Sequence, residues 1–408
     1  MNIIDIINKK RTNQELSFEE LEYAFMGYLN EQVESYQMSS LLMAICLNGM
    51  TDDEIINLTK IFINSGEILD LSMIEGIKVD KHSTGGIGDK TTLIIAPIVA
   101  SLGVYIAKMS GRGLGYTGGT IDKLESIPGF KTELSKEEFI DELKTIGMVI
   151  SSQTSNLTPL DKKIYALRDV TGTVESYPLI ASSIMSKKIA SGADKILIDL
   201  KVGTGALIHN KEEANKLATI MKKIGNSFNK ETRILITDMN TPLGRNIGNS
   251  LEVLEAIDVL KGNIDNKLGT LCIEIASNLI SMSKNISIEE SIKEVVNAIS
   301  SGKAYKKFLE FVSMQQGNID LLKVSDKKLE VYSDKSGTIS KIDARIIGEV
   351  SMKLGAGRMT KDDSIDHSVG IVLNKVIGDK VVKGDVLCTL YINKIENEFN
   401  IKEAFEIV

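Results

Sequence analysis

The chain has 408 residues, of which 43% are hydrophobic, and its formal net charge at pH 7 is −7. A chain of this length is too long for one compact core, so we expect two or three domains. The negative charge, without a dense basic stripe, argues against nucleic-acid binding, and the lack of an apolar run near about 18 residues argues against a membrane protein.

The cysteines and the first residues of the chain indicate the cellular compartment of the protein. The three cysteines, Cys46, Cys272 and Cys388, are odd in number and far apart. They fit neither a disulfide framework nor a zinc site, and they suit a reducing environment. The first residues lack the basic-then-apolar order of a signal peptide, so we expect a soluble, cytoplasmic protein.

The first 69 residues have helical patterns throughout. Ser17 with Glu20, and Thr51 with Glu54, form capping-box signatures ahead of apolar residues at helical spacing. The apolar, Met-rich run at residues 41–46 is typical of core or subunit-interface packing. We therefore predict an all-α segment that carries a dimer face.

Beyond Ile74, short apolar runs alternate with helical patterns. The predicted strands are residues 104–107, 148–151, 195–202 and 233–238. Such alternation predicts a mostly parallel sheet, and in such sheets the ligand site lies at the carboxyl ends of the strands.

Two glycine-rich loops follow strand-like runs, at residues 84–90 and 110–120. Glycines allow a ligand to approach the backbone closely, and a following helix offers unpaired N–H groups, so a phosphate is the expected guest. Neither loop matches a P-loop or a well-placed dinucleotide fingerprint. The alternative is that the glycines serve only tight turns.

A second helical region covers residues 158–189. In it, Ser183 and Lys187 stand at i and i+4 and share one helix face, and Arg168 lies near the end of the preceding helix. A solvated basic face is the alternative to a binding role. The pattern of the cluster at residues 161–163, Asp161, Lys162 and Lys163, is typical of helix-surface charges.

Helices dominate residues 249–316, and after Leu329 the pattern changes to β runs with glycine turns. The phrase GDKVVKGDVL resembles the turn pattern of biotinyl and lipoyl carrier-like barrels but lacks their central lysine, so we interpret it as part of a structural cap. The predicted fold class is α/β and two-lobed, with a discontinuous all-α lobe, a larger α/β lobe and an α+β or barrel-like C-terminal cap. The predicted all-α lobe covers residues 1–68 and 155–192, and the predicted α/β lobe covers residues 73–154 and 193–330. The predicted cap covers residues 331–408.

Three long motifs, DKHSTGG, KMSGRGLG and TGGTIDKLESIPGF, make the chain resemble the thymidine and pyrimidine-nucleoside phosphorylases. The resemblance extends over the whole chain. It implies an enzyme of nucleoside salvage, a pentosyltransferase in which inorganic phosphate attacks the anomeric carbon of a pyrimidine nucleoside. It also implies lobes that close over the substrates, a homodimer through the α lobes, and phosphate as co-substrate with no organic cofactor.

Family roles transfer by this resemblance onto matching residues. His82 resembles the residue that assists departure of the base, and Arg168, Ser183 and Lys187 match the base-binding trio, with His82, Arg168 and Lys187 as the catalytic set. For Lys108 two alternatives remain, an approach to ribose or phosphate and a strand-end lysine in solvent. The positions that match the phosphate site are Lys81, Ser83, Thr92, Lys108, Met109, Ser110 and Thr120.

Several members of the family bind potassium, and the resemblance places that ion at five positions. This sequence departs from the family pattern at two of them, with a lysine where threonine is common and an asparagine where a small residue is common. Either the lysine ammonium reaches the glutamate and replaces the ion, or it turns away and potassium binds. The positions are Gly88, Lys90, Leu243, Asn246 and Glu255.

Substrate range has several alternatives. KMSGRG resembles the broader enzymes, which favours uridine, thymidine and deoxyuridine over a thymidine-restricted activity. A phosphoribosyltransferase of the same architecture would need acidic magnesium ligands, and Arg168, Ser183 and Lys187 argue against it. A further alternative is a binding protein that has kept the fold without the activity. The complete set of site residues argues against it.

Overall fold

The computed structural model describes residues 1–113, 115–154, 156–360, 363–394 and 400–408. The N-terminal segment is helical, as predicted. Its helices are α1 (Ile3–Arg11), α2 (Phe18–Leu29), α3 (Ser35–Asn48) and α4 (Asp52–Asn64).

Both predicted capping boxes are present, at Ser17 with Glu20 and at Thr51 with Glu54. The second one also holds two helices together. The Glu54 carboxylate accepts from the Thr51 backbone N–H at 2.7 Å and from Lys10 Nζ at 2.8 Å, and both charged side chains are buried. A cap at the start of α4 therefore also anchors the end of α1.

Strands and helices then alternate, which confirms the predicted βα pattern and all four predicted strands. In chain order the elements are β1 (Lys78–Ser83), α5 (Thr91–Ser101), β2 (Tyr105–Ser110), α6 (Thr120–Glu125), α7 (Lys136–Ile146), β3 (Met148–Ser152), α8 (Pro159–Thr171), α9 (Tyr177–Ala190), β4 (Lys195–Val202), α10 (Lys211–Ser227) and β5 (Glu231–Asp238).

The strands β1 to β5 form one sheet in the order β3-β2-β1-β4-β5. Strands β2 and β3 are parallel, with Ile106 opposite Met148 and Ser110 opposite Ser152. Each glycine-rich loop leaves the carboxyl end of a strand, the first after β1 and the second after β2. This is the sheet edge at which the sequence predicts the ligand site.

The remaining residues form a helical group and then a β-rich end that includes helix α15. The elements are β6 (Asn246–Ile247), α11 (Asn249–Leu260), α12 (Lys267–Lys284), α13 (Ile288–Ser300), α14 (Lys303–Met314), β7 (Lys328–Tyr332), β8 (Gly337–Ile342), α15 (Ala344–Ser351), β9 (Gly370–Leu373), β10 (Lys380–Val381), β11 (Val386–Tyr391) and β12 (Phe405–Ile407).

Two small antiparallel sheets organise this end, in the orders β10-β8-β12 and β6-β9-β11-β7. Strand β6 comes from an earlier part of the chain than the others, and its Asn246 pairs with Val372. Among the described residues, no helix combines the length and the apolar character needed to cross a membrane.

The chain folds into two compact units. The first contains residues 1–80, 153–196 and 212–234, and the second contains residues 81–152, 197–211 and 235–408. The first has an apolar core built from α1–α4, α8 and α9, in which Phe25 and Phe62 meet edge to face with ring centroids 5.9 Å apart. The second holds both glycine-rich loops and a core around the C-terminal sheets.

One carboxyl group in the second unit is buried without the compensation that Glu54 has. Glu142 on α7 is buried, and its Oε1 has no hydrogen-bond partner among the described residues. Burial, helped by the negative charge of Glu138, raises the pKa of Glu142 to about 8. The folded protein therefore keeps this group protonated at neutral pH.

We predict that Glu142→Gln stabilises the protein at pH 8 and not at pH 5. Because the folded-state pKa lies above the unfolded value of 4.5, folding takes up a proton between these values, and the parent loses stability as the pH rises through about 8. Glutamine stays neutral, so the Tm of the variant should exceed that of the parent by about 2 °C or more at pH 8.

Calorimetric Tm values at pH 5 and pH 8 check this prediction. Asp141→Asn is the matched control, because Asp141 is the exposed neighbour of Glu142 on the same helix. A Tm difference between Glu142→Gln and the parent that is the same at both pH values would contradict it.

Candidate active site

The first glycine-rich loop joins β1 to α5 and needs glycine at a defined point. Gly88 has a φ of +73°, and a Cβ there would lie 2.6 Å from the carbonyl oxygen of Leu243. Only glycine therefore allows the loop to take this path against the 243 segment. The loop ends at Lys90, which directly precedes the eleven-residue helix α5.

Beneath this loop lies the Lys81 cluster, which consists of Lys81, Asp89, Thr91, Asp199 and Lys201. Lys81 Nζ donates to Thr91 Oγ1 at 2.6 Å and pairs with Asp199 Oδ2 at 3.2 Å. Lys201 Nζ lies 2.8 Å from the same Asp199 oxygen, and Thr91 Oγ1 donates to Asp89 Oδ1 at 2.5 Å. The cluster thus links the end of β1, the loop, the start of α5 and β4.

The ionisation states in the cluster follow from its charges. Burial disfavours the Lys81 ammonium, but the negative charges of Asp89 and Asp199 outweigh it and raise the pKa of Lys81. Burial likewise opposes ionisation of Asp89, yet Lys81 and Lys201, with hydrogen bonds from Ser83 and Thr91, hold the pKa of Asp89 well below its ordinary range. Both groups are therefore charged at neutral pH.

Lys108 joins this region from β2. Its side chain is only 3% exposed, and Nζ donates to the backbone oxygen of Lys81 at 2.6 Å. The alternative that placed it in solvent at a strand end is therefore wrong. Lys108 thus adds a third buried ammonium group to this region, beside those of Lys81 and Lys201.

In the second glycine-rich loop, glycines allow two backbone segments to approach closely, and side chains outside the loop hold it in place. A Cβ on Gly119 would lie 2.2 Å from the Gly113 nitrogen, so the two segments can meet only without side chains. The Gly113 N–H donates to Asp122 Oδ2 at 2.6 Å, and Arg358 Nη1 donates to Asp122 Oδ1 at 2.7 Å. Leu114, within the matching KMSGRGLG motif, lies outside the described residues.

The first unit contains the predicted base-binding trio. Arg168 on α8 is 1% exposed and donates through Nε and Nη2 to the backbone oxygens of Thr173 and Val174, at 3.0 and 2.6 Å. On α9, Lys187 Nζ donates to Ser183 Oγ at 2.9 Å. The burial of Arg168 argues against the alternative of a solvated basic face.

Asp161 corrects one prediction from sequence. The sequence predicts a helix-surface charge at this position, and this prediction is wrong. Asp161 is 1% exposed, and its Oδ2 lies 2.5 Å from Lys187 Nζ. Burial lowers the pKa of Arg168, and the negative charge of Asp161 opposes that effect. One buried carboxylate on α8 thus acts on both cations of the trio.

The structure brings the predicted residues together in two sets. In the first unit, Lys187 contacts Ser183 directly and is linked to α8, the helix of Arg168, through Asp161. In the second unit, Lys81, Ser83 and Lys108 join one network, in which the Ser83 hydroxyl donates to Asp89. The other predicted phosphate ligands are placed by their elements alone: Thr92 lies in the first turn of α5, Met109 and Ser110 end β2, and Thr120 begins α6.

His82 lies between Lys81 and Ser83 on β1 and is half-buried, so it stands beside the phosphate set along the chain. Sequence analysis missed Asp89, Asp199 and Lys201. The signal for the last two was present in β4, KILIDLKV, where two charged residues interrupt an apolar strand. Charges two apart on a buried strand face the same side, and they require partners there.

The predicted potassium positions also converge within the second unit. Lys90 Nζ lies 3.0 Å from the Leu243 oxygen, 2.7 Å from the Asn246 oxygen and 2.5 Å from Glu255 Oε2. No group of three or more His, Cys, Asp or Glu side chains placed to hold a metal occurs in the part of the chain that the structure describes.

Family models match three successive parts of the chain. They are described as the helical bundle domain of a glycosyl transferase family (residues 4–66), the a/b domain of a glycosyl transferase family (residues 75–305) and the C-terminal domain of pyrimidine nucleoside phosphorylase (residues 338–406).

Two curated relatives are similar over nearly their whole length. The pyrimidine-nucleoside phosphorylase of Staphylococcus haemolyticus is 49% identical, with 100% of this chain and 96% of the relative aligned. That of Bacillus subtilis is 50% identical, with 97% and 93% aligned.

A solved structure shares the fold. Anthranilate phosphoribosyltransferase from Thermus thermophilus superposes with a TM-score of 0.60 over 77% of this chain and 100% of its own, at 17% identity. At this identity the likeness concerns the fold alone, and it agrees with the predicted helical and α/β parts.

We predict that Asp161→Asn weakens binding of uracil, the base that the sequence resemblance implies, by about tenfold. The substitution removes the carboxylate that holds the Lys187 ammonium, and hydrogen bonds to charged groups contribute about 1.5–3 kcal/mol. Calorimetric titration with uracil in the presence of phosphate gives the Kd. Asp169→Asn, an exposed change on the same helix, is the control. Equal Kd values for Asp161→Asn and the parent would rule out a positioning role for Asp161.

Proposed function

Since this chain belongs to the family of pyrimidine-nucleoside phosphorylases, we propose that it catalyses the phosphorolysis of uridine, thymidine and deoxyuridine in nucleoside salvage. A phosphate oxygen forms a bond to C1′ of the sugar while the C1′–N1 bond breaks. The products are free base and ribose or deoxyribose 1-phosphate. The observation that carries the proposal is the near-50% identity to enzymes of that name along the full chain.

The phosphate half of the reaction suits the Lys81 cluster. A phosphate dianion needs cationic and hydroxyl donors, and the ammonium groups of Lys81, Lys108 and Lys201 supply the electrostatic attraction. Ser83, Thr92, Ser110 and Thr120 add hydroxyls, and Met109 adjoins them. Because these cations are already fixed by ion pairs and backbone contacts, little reorganisation is needed when the anion arrives.

The base half suits Arg168, Ser183 and Lys187. A uracil ring offers two carbonyl oxygens and one N–H, and the trio offers cationic donors together with a hydroxyl that both donates and accepts. As the bond to the sugar breaks, negative charge builds on the base and the sugar becomes oxocarbenium-like. Arg168 and Lys187 stabilise that charge more in the transition state than in the ground state.

His82 completes the proposed catalytic set. It assists departure of the base either as an imidazolium that donates a proton or as a neutral hydrogen-bond donor. Proton donation of this kind contributes about 10²–10⁴-fold in rate.

The reaction requires both residue sets to contact one pair of substrates, and we propose that a hinge motion brings this about. We place the hinges at residues 66–72, 152–159 and 191–195, between an all-α lobe of residues 1–68 and 155–192 and an α/β lobe of residues 73–154 and 193–330, with residues 331–408 as a separate cap. Segments that absorb such motions are short stretches at the ends of elements. Identical X-ray scattering curves with and without phosphate plus a base analogue would count against this motion.

We further propose a cytoplasmic homodimer that pairs through the helical lobe. On α3, Tyr36, Met43 and Leu47 are spaced seven and four residues apart, so they share one helix face, and all three are exposed, Leu47 by 78%. An exposed apolar stripe of this kind is typical of a protein interface.

If this stripe is the dimer interface, Leu47→Glu combined with Tyr36→Glu should shift the molar mass from dimer to monomer. Two charges placed in an apolar interface would lose their hydration without gaining partners. Light scattering coupled to gel filtration gives the mass. Leu254→Glu, at an exposed apolar position of the other unit, should leave the dimer intact. A dimer that survives the double substitution would place the interface elsewhere.

The substrate range has its own test. At equal concentrations of uridine, thymidine and deoxyuridine, with phosphate, we expect comparable rates of base release, followed by the change in ultraviolet absorbance. Omission of phosphate should abolish the reaction. A rate on uridine below a hundredth of that on thymidine would support the thymidine-restricted alternative, and a requirement for magnesium and pyrophosphate would support a phosphoribosyltransferase.

A further inference from the structure

The cation site that the family resemblance implies contains a side chain of this protein. Lys90 Nζ is surrounded by the backbone oxygens of Leu243 and Asn246 and by the Glu255 carboxylate, at 3.0, 2.7 and 2.5 Å. An ammonium group has three N–H donors, and these are three acceptors. Lys90 is 1% exposed, so the group is held away from water.

These residues do not fit a potassium ion in addition to the lysine. The Glu255 carboxylate is the only negative group that contacts Lys90 among the described hydrogen bonds, and the ammonium already balances its charge. A second cation in this buried place would lie about 3 Å from the Lys90 ammonium, and at that distance the Coulomb repulsion between two unit charges is strong. It would also have to share carbonyl oxygens that already accept from Lys90.

We propose that the Lys90 ammonium replaces potassium in this protein as a built-in cation, which makes folding and activity independent of that ion. The Lys90 side chain extends from the first glycine-rich loop to the segment 243–246, and Glu255 fixes the same segment through the backbone N–H groups of Arg245 and Asn246, at 2.7 and 3.0 Å. The covalent cation thus performs the joining role that a bound ion would otherwise have.

The replacement has a consequence for the phosphate half of the site. Lys90 lies between Asp89 and Thr91, which are both members of the Lys81 cluster, and its backbone N–H donates to the Gly88 oxygen at 2.9 Å. Fixing Lys90 therefore fixes both neighbours. The inference concerns a cation and does not depend on which nucleoside is the substrate.

The test compares thermal melting in potassium chloride and in tetramethylammonium chloride at equal ionic strength. The wild-type Tm should be the same in both salts at all concentrations. Lys90→Thr, which vacates the site and leaves its oxygens, should acquire a Tm that climbs with potassium, by about 2 °C at a tenfold excess over the Kd. The variant is purified in potassium throughout, so that it stays folded even if it requires the ion. Lys90→Ser serves as a second variant.

Lys10→Thr is the matched control. It also removes a buried ammonium paired with a glutamate, but among the described hydrogen bonds Lys10 Nζ donates only to the Glu54 carboxylate, so no backbone oxygens are left to hold a cation as they are beside Lys90. Its Tm should fall without becoming potassium-dependent. A wild-type Tm that rises specifically with potassium would overturn the inference, and so would Lys90 variants that fold but ignore the ion. A different substrate range would leave both outcomes unaffected.

Discussion

The burial of the Lys81 ammonium is the constraint on which the proposed phosphate site depends. A charge that far from water must be compensated, and here the compensation comes from Asp199 on β4 and from Asp89 in the glycine-rich loop. Removing one partner of a buried pair typically costs about 3–5 kcal/mol. The loop is therefore held to the sheet by charge balance, and its glycines permit the path that this balance requires.

The same arrangement recurs at the proposed base-binding trio. Asp161 is buried on α8 and holds the Lys187 ammonium, which in turn donates to Ser183. In both sets a cation that would meet substrate is oriented beforehand by a carboxylate that would not. Such preorganisation places the donors before charge develops in the reaction, which is where electrostatic catalysis gains most.

Much of this could be predicted from the sequence, because periodicity and glycine-rich turns are local signals. The alternation of strands and helices and the capping boxes at Ser17 and Thr51 were accessible, and the approach of Lys90 to Glu255 was one of two alternatives that the sequence left open. The burial of Asp161 was not, because a carboxylate on a helix looks the same in sequence whether it faces solvent or a lysine on another helix. For Lys108 the sequence left two alternatives open for the same reason, since its acceptor is a backbone oxygen 27 residues away.

The contact between Arg358 and the second glycine-rich loop affects the order in which parts of the protein can fold during synthesis. The guanidinium holds Asp122, and the Arg358 backbone oxygen accepts from the Gly115 N–H at 2.8 Å. A growing chain can fold its N-terminal helices and much of the sheet before residue 358 has been synthesised, but it cannot yet brace that loop. The bracing of this loop therefore follows the synthesis of all five strands of the parallel sheet, which ends with β5 at Asp238.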